Sequence, residues 1–272
     1  MKKKTFLQSL VALTLLFGLF TFSACQPDEP VEPDVNPMDK FELIAENQAN
    51  ELSVNVYAAQ ALFAGYNTIY FEVKKGEVYL ENANLNLTPI MDMGAMKHSC
   101  PFEQPVLNTN GVYEAKVLFQ MPSMEGTWTL NLDVNDAETN ISESFEIPVS
   151  VIQPEFSRVI VTSSVIDQKR LIIGYVEPNA PIVGANSFKI AIYTMENMMS
   201  FVPVNYLAVE IEPEMPSMGH GSSGNINPVF TNNGMYEGTV SFNMTGDWRI
   251  HLALNQDNEL VKDGIYFDLF FQ

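Results

Sequence analysis

Two short stretches of this 272-residue sequence each combine two methionines with a histidine at the same spacing. The residues are Met93, Met96 and His98 in the first stretch and Met215, Met218 and His220 in the second. Thioether sulfur is a soft, uncharged ligand that favours Cu(I), and imidazole adds a borderline nitrogen that also binds Cu(II). The two motifs therefore predict two copper sites, with Cu(I) favoured over Cu(II).

The residues around both motifs predict a bent loop rather than a straight strand. Gly94 lies in the first motif, and Pro216 and Gly219 lie in the second. On a straight strand, residues three positions apart point to opposite faces, whereas a loop lets both sulfurs and the imidazole converge. Methionine is also a durable soft ligand outside the cytoplasm, where thiolates tend to be oxidised. Methionine that fills gaps in a core is the alternative interpretation.

Four further residues are candidates for additional metal ligands. Met91 and Cys100 lie close to the first motif, although Ser222 takes the place of Cys100 in the second. Met121 and Met244 end two matching strands on their apolar faces. A core role is the default for these two, and a place at the rim of the site is the alternative.

Other methionines and the third histidine are predicted to have structural or solvent-facing positions. Met195, Met198 and Met199 lie in "TMENMM", which has no counterpart earlier in the chain, and are predicted to pack or to lie at a sheet edge. Met124 also lacks a counterpart. His251 falls on the polar face of its predicted strand and is expected to be solvated.

The two motifs belong to a longer internal repeat. The run "GVYEAKVLFQMPSMEGTW" at 111–128 matches "GMYEGTVSFNMTGDW" at 234–248, with three extra residues in the first copy. Self-similarity over this length predicts two copies of one domain. We place the domains at 40–152 and 156–272, on either side of the join "QPEFS".

Each copy has the pattern of β-strands. Tyr113, Val117 and Phe119 alternate with polar residues at a period of two, and the runs that begin at Trp128 and Trp248 do the same. Turn sequences separate these runs, and about seven short strands in each copy favour an immunoglobulin-like sandwich. The fold class is therefore predicted to be all-β, with two tandem sandwiches. The core or corner residues of the sandwiches are predicted to be Trp128, Trp248, Tyr113 and Tyr236.

The first residues predict export and lipidation. Residues 1–24 combine a lysine-rich start, an apolar run and small residues before Cys25, as in a lipoprotein signal peptide. Cys25 is the predicted lipidation site, and an ordinary secretory peptide is the alternative. Residues 25–39 alternate proline and acid and predict a charged, extended tether. We expect an outer-membrane lipoprotein that faces the periplasm or the cell surface and meets the membrane only through its lipid.

The charge of the chain excludes one class of partner. Removal of Lys2, Lys3 and Lys4 with the signal peptide takes the net charge from −19 to −22. A surface this acidic repels phosphate backbones, so no nucleic acid is expected as a partner, and it attracts cations. If Cys25 carries lipid, Cys100 is the only cysteine left and no disulfide can form within the chain.

The second copy resembles the YtkA-like domain family, whose pattern is Met-Pro-x-Met-x-His, then Gly-x-Tyr, then Phe-x-Met-x-Gly-x-Trp. Its matching residues are Met215, Pro216, Met218, His220, Gly234, Tyr236, Phe242, Met244, Gly246 and Trp248. The first copy matches the pattern at Met93, Met96, His98, Gly111, Tyr113, Phe119, Met121, Gly126 and Trp128. It departs from the pattern in having Gly94 instead of the proline and in its three-residue insertion.

This resemblance implies a function in metal handling. The YtkA-like family is similar to the periplasmic FixH proteins, and it shares a sandwich and methionine/histidine copper binding with CopC-like proteins. The resemblance implies copper as cargo and a copper-requiring acceptor, such as a respiratory oxidase, as a partner.

Two classes of function follow from the sequence. The first is a copper carrier, buffer or chaperone, and the second is a surface adhesion or glycan-binding module without metal. An enzyme is not expected, because the chain has no nucleophile motif and too few histidines for a triad apart from the metal motifs. The positions of the methionine sulfurs relative to His98 and His220 distinguish the two classes.

Overall fold

The computed structural model describes residues 38–109 and 111–272. The predicted signal peptide, the lipidation site Cys25 and all but the last two residues of the tether lie outside the described residues. No helix among the described residues is long and apolar enough to cross a membrane.

The first half of the described chain forms two antiparallel sheets. Its strands are β1 (Glu42–Ala49), β2 (Leu52–Ala58), β3 (Gly65–Lys75), β4 (Val78–Tyr79), β5 (Asn84–Asp92), β6 (Lys97–His98), β7 (Phe102–Leu107), β8 (Tyr113–Phe119), β9 (Thr127–Asp136) and β10 (Ile141–Val149). The larger sheet has the order β1-β2-β3-β8-β7, with β4 paired to β3, and the smaller sheet has the order β10-β9-β5-β6. A 3-10 turn at Ser123–Glu125 precedes β9.

The second half repeats this topology strand for strand. Its strands are β11 (Val159–Ser163), β12 (Arg170–Glu177), β13 (Gly184–Asn197), β14 (Ser200–Pro203), β15 (Ala208–Met215), β16 (His220–Gly221), β17 (Ile226–Asn232), β18 (Met235–Phe242), β19 (Gly246–Gln256) and β20 (Glu259–Phe271). The sheet orders are β11-β12-β13-β18-β17, with β14 on β13, and β16-β15-β19-β20. Each strand therefore corresponds to the strand numbered ten lower, as expected for a duplicated domain.

Alternation of apolar and polar residues gives each domain a core between its two sheets. Trp128 and Tyr113 are buried in the first core, and Trp248 and Tyr236 are buried in the second. The tyrosine hydroxyls fix loops at the edges of the cores: Tyr113 donates to the carbonyl of Leu80 at 2.8 Å. The prediction of an all-β chain with two tandem sandwiches is confirmed, as is the burial of these four aromatic residues.

A third apolar cluster joins the two domains. Leu118 on β8 packs with Ile172, Ala191 and Tyr193 of the second domain. Gly174 makes this contact close, since a Cβ atom there would lie 2.7 Å from a methyl carbon of Leu118. The domains therefore meet through packed side chains as well as through the chain that links them.

Candidate metal sites

Each domain places one methionine directly opposite its motif histidine. Met91 pairs with His98 across the β5–β6 ladder, and Met215 pairs with His220 across the β15–β16 ladder. Residues opposite each other in an antiparallel ladder project to the same face, with Cβ atoms about 4.5–5.5 Å apart. A thioether and an imidazole are therefore neighbours at the edge of the smaller sheet in both domains.

This register shows that Met91, rather than Met93, is the counterpart of Met215. Pro89 and Pro213 occupy matching positions in ladders with β9 and β19, and each precedes its paired methionine by two residues. Six residues separate Met91 from His98, whereas four separate Met215 from the second histidine. The equal spacing that suggested Met93 as the counterpart results from a turn that is two residues longer in the first domain.

The other two motif methionines of the first domain lie in this turn. The backbone N–H of Met93 donates to the carbonyl of Met96 at 3.0 Å, and both side chains are exposed. Asp92 supports the turn by accepting from the N–H of Gly94 at 2.8 Å and pairing with Lys97 at 2.9 Å. The hydrogen bond from Lys97 lowers the pKa of the Asp92 carboxyl below its ordinary value.

The turn of the second domain is shorter and exposes Met218. The N–H groups of Met218 and Gly219 both donate to the carbonyl of Met215, at 3.1 and 2.9 Å. Ser217 anchors the turn to β19, because its backbone N–H and its hydroxyl both donate to the carboxylate of Asp247. The hydrogen bond from the Ser217 hydroxyl lowers the pKa of Asp247. Met218, like Met96, lies two residues before its histidine.

Tryptophan connects the histidine of the first domain to Met121. The rings of His98 and Trp128 meet edge to face, with centroids 5.7 Å apart. The indole N–H of Trp128 donates to the carbonyl of Met121 at 3.0 Å. Met121 is partly buried against the first core. Met91, Met121 and His98 thus lie around one indole at one end of the sandwich.

The second domain repeats this arrangement around Trp248. The His220 and Trp248 rings lie 6.2 Å apart between centroids, and the indole N–H donates to the carbonyl of Met244 at 3.0 Å. Met215 is buried in the second core, whereas Met244 is exposed. The second set is therefore more open to solvent than the first.

The imidazole of the first domain has a free nitrogen in a buried position. His98 is only 8% exposed, its Nδ1 lies 2.8 Å from the carbonyl oxygen of Ser99, and its Nε2 is buried without a hydrogen-bond partner. Because a carbonyl can only accept, the proton of the neutral imidazole lies on Nδ1 in this contact, and the lone pair of that tautomer lies on Nε2. His220 has the same contact with Gly221, at 3.1 Å. A carbonyl that fixes the imidazole tautomer is the usual support of a metal-binding histidine.

A glycine in each domain makes room for the paired methionine. A Cβ atom at Gly126 would lie 2.6 Å from the carbonyl oxygen of Asp92 and 3.0 Å from the methyl carbon of Met91, and one at Gly246 would lie 2.5 Å from the methyl carbon of Met215. The glycine of the Gly-x-Trp sequence therefore has a steric role beside the site. The repeated glycine is visible in the sequence, but only the fold shows that the methionine side chain occupies the space beside it.

Cys100 belongs to the first core. It is fully buried, and burial raises the pKa of its thiol well above the ordinary value. A neutral thiol is a weaker ligand than a thiolate. The structure thus places this residue among apolar side chains, and the matching Ser222 is only partly buried.

His251 lies on the exposed face of β19 and has a partner there. Its Nε2 is 2.8 Å from a carboxylate oxygen of Glu214, which precedes Met215 and so points to the opposite face of the sheet. His251, Glu214 and Glu212 line an open groove of about 740 Å³ that His220 also borders. Among the residues that the structure describes, no three His, Cys, Asp or Glu side chains are arranged to hold a metal ion.

The YtkA-like family model matches residues 46–133 and 168–253. These two regions make up more than half of the chain, and each includes one methionine–histidine pair with its tryptophan. The chain belongs to the YtkA-like family. The tandem arrangement predicted from the sequence is confirmed, and membership of the family points to an extracytoplasmic, metal-related role.

Two solved structures resemble the chain weakly. Domains 5-6 of the S-layer protein SbsC share 11% identity, over 85% of this chain and 97% of that chain, with a TM-score of 0.29. A chimeric titin Z1Z2 functionalized with a KLER exogenous peptide from decorin shares 7% identity, over 85% of this chain and 98% of that chain, with a TM-score of 0.22. No curated protein matches the chain.

Proposed function

We propose that this protein is an extracytoplasmic lipoprotein that binds and transfers Cu(I), with one site in each domain. One observation carries the proposal: the Nε2 atom of His98 is buried without a hydrogen-bond partner, beside Met91 on the opposite strand. The second domain has the same cross-strand pair, Met215 and His220. A buried polar nitrogen without a partner is costly in a folded protein. A metal ion at that nitrogen would satisfy its lone pair.

The donor set favours cuprous copper over other metals. Thioether and neutral imidazole carry no charge, and a hard divalent ion would lose its preferred oxygen ligands on entering such a set. The soft, singly charged Cu(I) ion fits sulfur and nitrogen donors. Met91 and Met215 are the first choice for the inner thioethers, and Met96 and Met218 are the first choice for the exposed ones.

The difference between inner and exposed donors suits a carrier. An exposed thioether on a turn can leave the metal and be replaced by a ligand from an acceptor protein, whereas the buried pair keeps hold of it. The acidic surface attracts cations, and the carboxylates of Glu212 and Glu214 lie in the groove that His220 borders. Copper passes in this scheme by exchange of ligands, without any catalytic group.

The predicted lipid at Cys25 and the acidic tether would hold both domains at the outer membrane. From there the protein would meet a copper-requiring acceptor, such as a respiratory oxidase. Whether the two domains face the periplasm or the cell surface depends on the location of that acceptor.

Titration of the mature chain with Cu(I) under reducing conditions tests the proposal. We expect two equivalents in competition with a chromophoric cuprous chelator. Each site is then removed by substituting its paired methionine, its exposed methionine and its histidine. The variants are Met91→Leu/Met96→Leu/His98→Ala for the first domain and Met215→Leu/Met218→Leu/His220→Ala for the second.

Each triple variant is expected to bind one equivalent, and their combination none. Leucine keeps the volume of methionine at little cost in stability, whereas His98→Ala leaves a cavity beside Trp128, so denaturant unfolding must show that each triple variant is folded before its stoichiometry is read. Stoichiometry that does not change in the variants would end the proposal. Absence of copper binding in the unchanged protein would leave the non-metal surface-binding module.

A further inference from the structure

The hairpin between β13 and β14 differs from its counterpart in the first domain. Between β3 and β4, Gly76 and Glu77 form the two-residue turn, with Gly76 at a positive φ of 58°, as such turns favour. In the second domain Asn197 pairs with Ser200, so the turn consists of Met198 and Met199. Two consecutive methionines are unusual at a hairpin turn, where small and polar residues are preferred.

Packing does not account for these two side chains. Met198 is 44% exposed and Met199 is 46% exposed. Met195, three residues earlier, does pack in the cluster between the domains together with Phe201. Of the two positions predicted from the sequence, packing or a sheet edge, Met195 has the first, and Met198 and Met199 lie in the turn that leads into the edge strand β14.

The turn of this hairpin reaches the first metal site. The backbone N–H of Ser99 donates to the carbonyl of Met198 at 2.8 Å. Ser99 follows His98 directly, and its own carbonyl holds the Nδ1 atom of that histidine. The second domain thus touches the residue that orients the first imidazole. The N–H of Met199 donates to the side-chain oxygen of Asn197 at 2.8 Å, which fixes the turn.

We propose that Met198 supplies a thioether to the copper site of the first domain, so that this site is built from both domains. The inference rests on the proposed function. Two observations of different kinds carry it: the hydrogen bond that holds Met198 beside Ser99, and the buried Nε2 of His98 that lacks a partner. Methionine has a long, flexible side chain and a soft sulfur, so the turn offers a movable donor next to a fixed one.

Such a site gives the two copies different properties. The first holds copper with donors from two domains and a buried imidazole, and the second holds it with its own, more exposed donors. Copper in the first site also links the domains, because one of its ligands lies across their boundary. We expect the first site to release copper more slowly than the second.

The test uses the full mature chain with its second site removed by Met215→Leu/Met218→Leu/His220→Ala. In that background, Met198→Leu is expected to weaken Cu(I) binding by at least about tenfold, the effect seen when groups that support a metal site are removed. Met199→Leu is the matched control, with the same chemistry and nearly the same exposure. It is expected to leave the affinity unchanged.

A second measurement does not depend on affinity. In protein labelled with 13C at the methionine methyl groups, the Met198 resonance is expected to shift as the first site fills and the Met199 resonance is not. The Met198→Leu change should also leave the affinity of the second site unchanged when the first site has been removed.

The outcomes separate the inference from the function on which it rests. If the unchanged protein binds no Cu(I), both fail. If it binds two equivalents but Met198→Leu alters neither affinity nor spectrum, only the two-domain site fails. An equal loss in the Met198 and Met199 variants would also overturn the assignment, because it would point to disturbance of the hairpin rather than to a ligand.

Discussion

Met215 lies directly opposite His220 across the short β15–β16 ladder, and Met91 lies opposite His98 in the same way. The candidate site is therefore a cross-strand pair held in place by the sandwich, and the turn that connects the two paired strands carries the exposed methionines. The buried methionine belongs to the hydrophobic core on one side and to the site on the other. In the proposed site, one methionine would thus both fill core space and supply a sulfur donor.

The register predicts different effects for two neighbouring methionines. Met91→Leu is expected to weaken Cu(I) binding in the first domain by at least about tenfold, because it removes the sulfur beside His98. Met93→Leu is expected to have a smaller effect, because Met93 lies in the turn without a counterpart in the second domain. Chelator competition in the second-site-deleted background measures both. Met124→Leu, at an exposed methionine of the 3-10 turn, is the control. A larger loss for Met93→Leu would contradict the register argument.

Gly246 is predicted to set the position of Met215. In Gly246→Ala the new Cβ would lie 2.5 Å from the methyl carbon of Met215, at a φ of +127° that side chains rarely adopt. We expect a loss of about 1–3 kcal/mol in the free energy of unfolding, together with weaker Cu(I) binding in the second domain alone. Denaturant unfolding and copper titration measure the two effects.

Gly264→Ala controls for backbone strain in this experiment. Gly264 also has a positive φ, of +62°, but a Cβ atom there would have nothing within 4 Å. The Gly264→Ala variant should lose stability without losing affinity for Cu(I). If Gly246→Ala and Gly264→Ala bind copper equally well, the steric link between Gly246 and Met215 is wrong.

The exposure of the two histidines predicts unequal reactivity. In the metal-free protein, diethyl pyrocarbonate should modify His220 at least about tenfold faster than His98, because the buried Nε2 of His98 must first be exposed by local opening. Mass spectrometry of peptides after timed reaction gives both rates, and His251 provides an internal reference on the exposed face. Cu(I) should slow the reaction of both motif histidines and leave that of His251 unchanged. Equal rates for His98 and His220 would contradict the closed character of the first site.

The sequence was sufficient for the fold but not for the composition of the sites. Alternation with a period of two and the repeated Gly-x-Tyr and Gly-x-Trp sequences determine which faces are buried, because burial on a strand is set by local position. Which methionine lies opposite His98 depends instead on the register across a turn. Because the turns differ in length, Met93 has the same sequence spacing from His98 as Met215 has from His220, although Met93 is not the residue opposite the histidine. The contact between Ser99 and Met198 joins residues far apart in the chain, and nothing in either local sequence specifies it.

The stability of the folded protein is predicted to fall at alkaline pH through Tyr193 and Tyr66, two tyrosines of the cluster between the domains. Burial raises the pKa of Tyr193 and of Tyr66, and the negative charge of Glu103 acts in the same direction on both. Glu114 adds to the effect on Tyr66. The folded protein therefore keeps both tyrosines neutral, whereas in the unfolded chain they ionise near a pKa of about 10. The stability they contribute is present below that pH and is lost as the pH rises above it.

We expect the free energy of unfolding to fall above about pH 10 by up to about 1.4 kcal/mol per pH unit for each of these tyrosines. Denaturant unfolding across this range measures the slope. Tyr66→Phe and Tyr193→Phe should each make the slope shallower, because each removes one proton that the unfolded chain releases. Tyr206→Phe, at an exposed tyrosine, is the matched control and should leave the slope as it is. A slope that neither substitution changes would show that these two hydroxyls do not link the free energy of unfolding to pH.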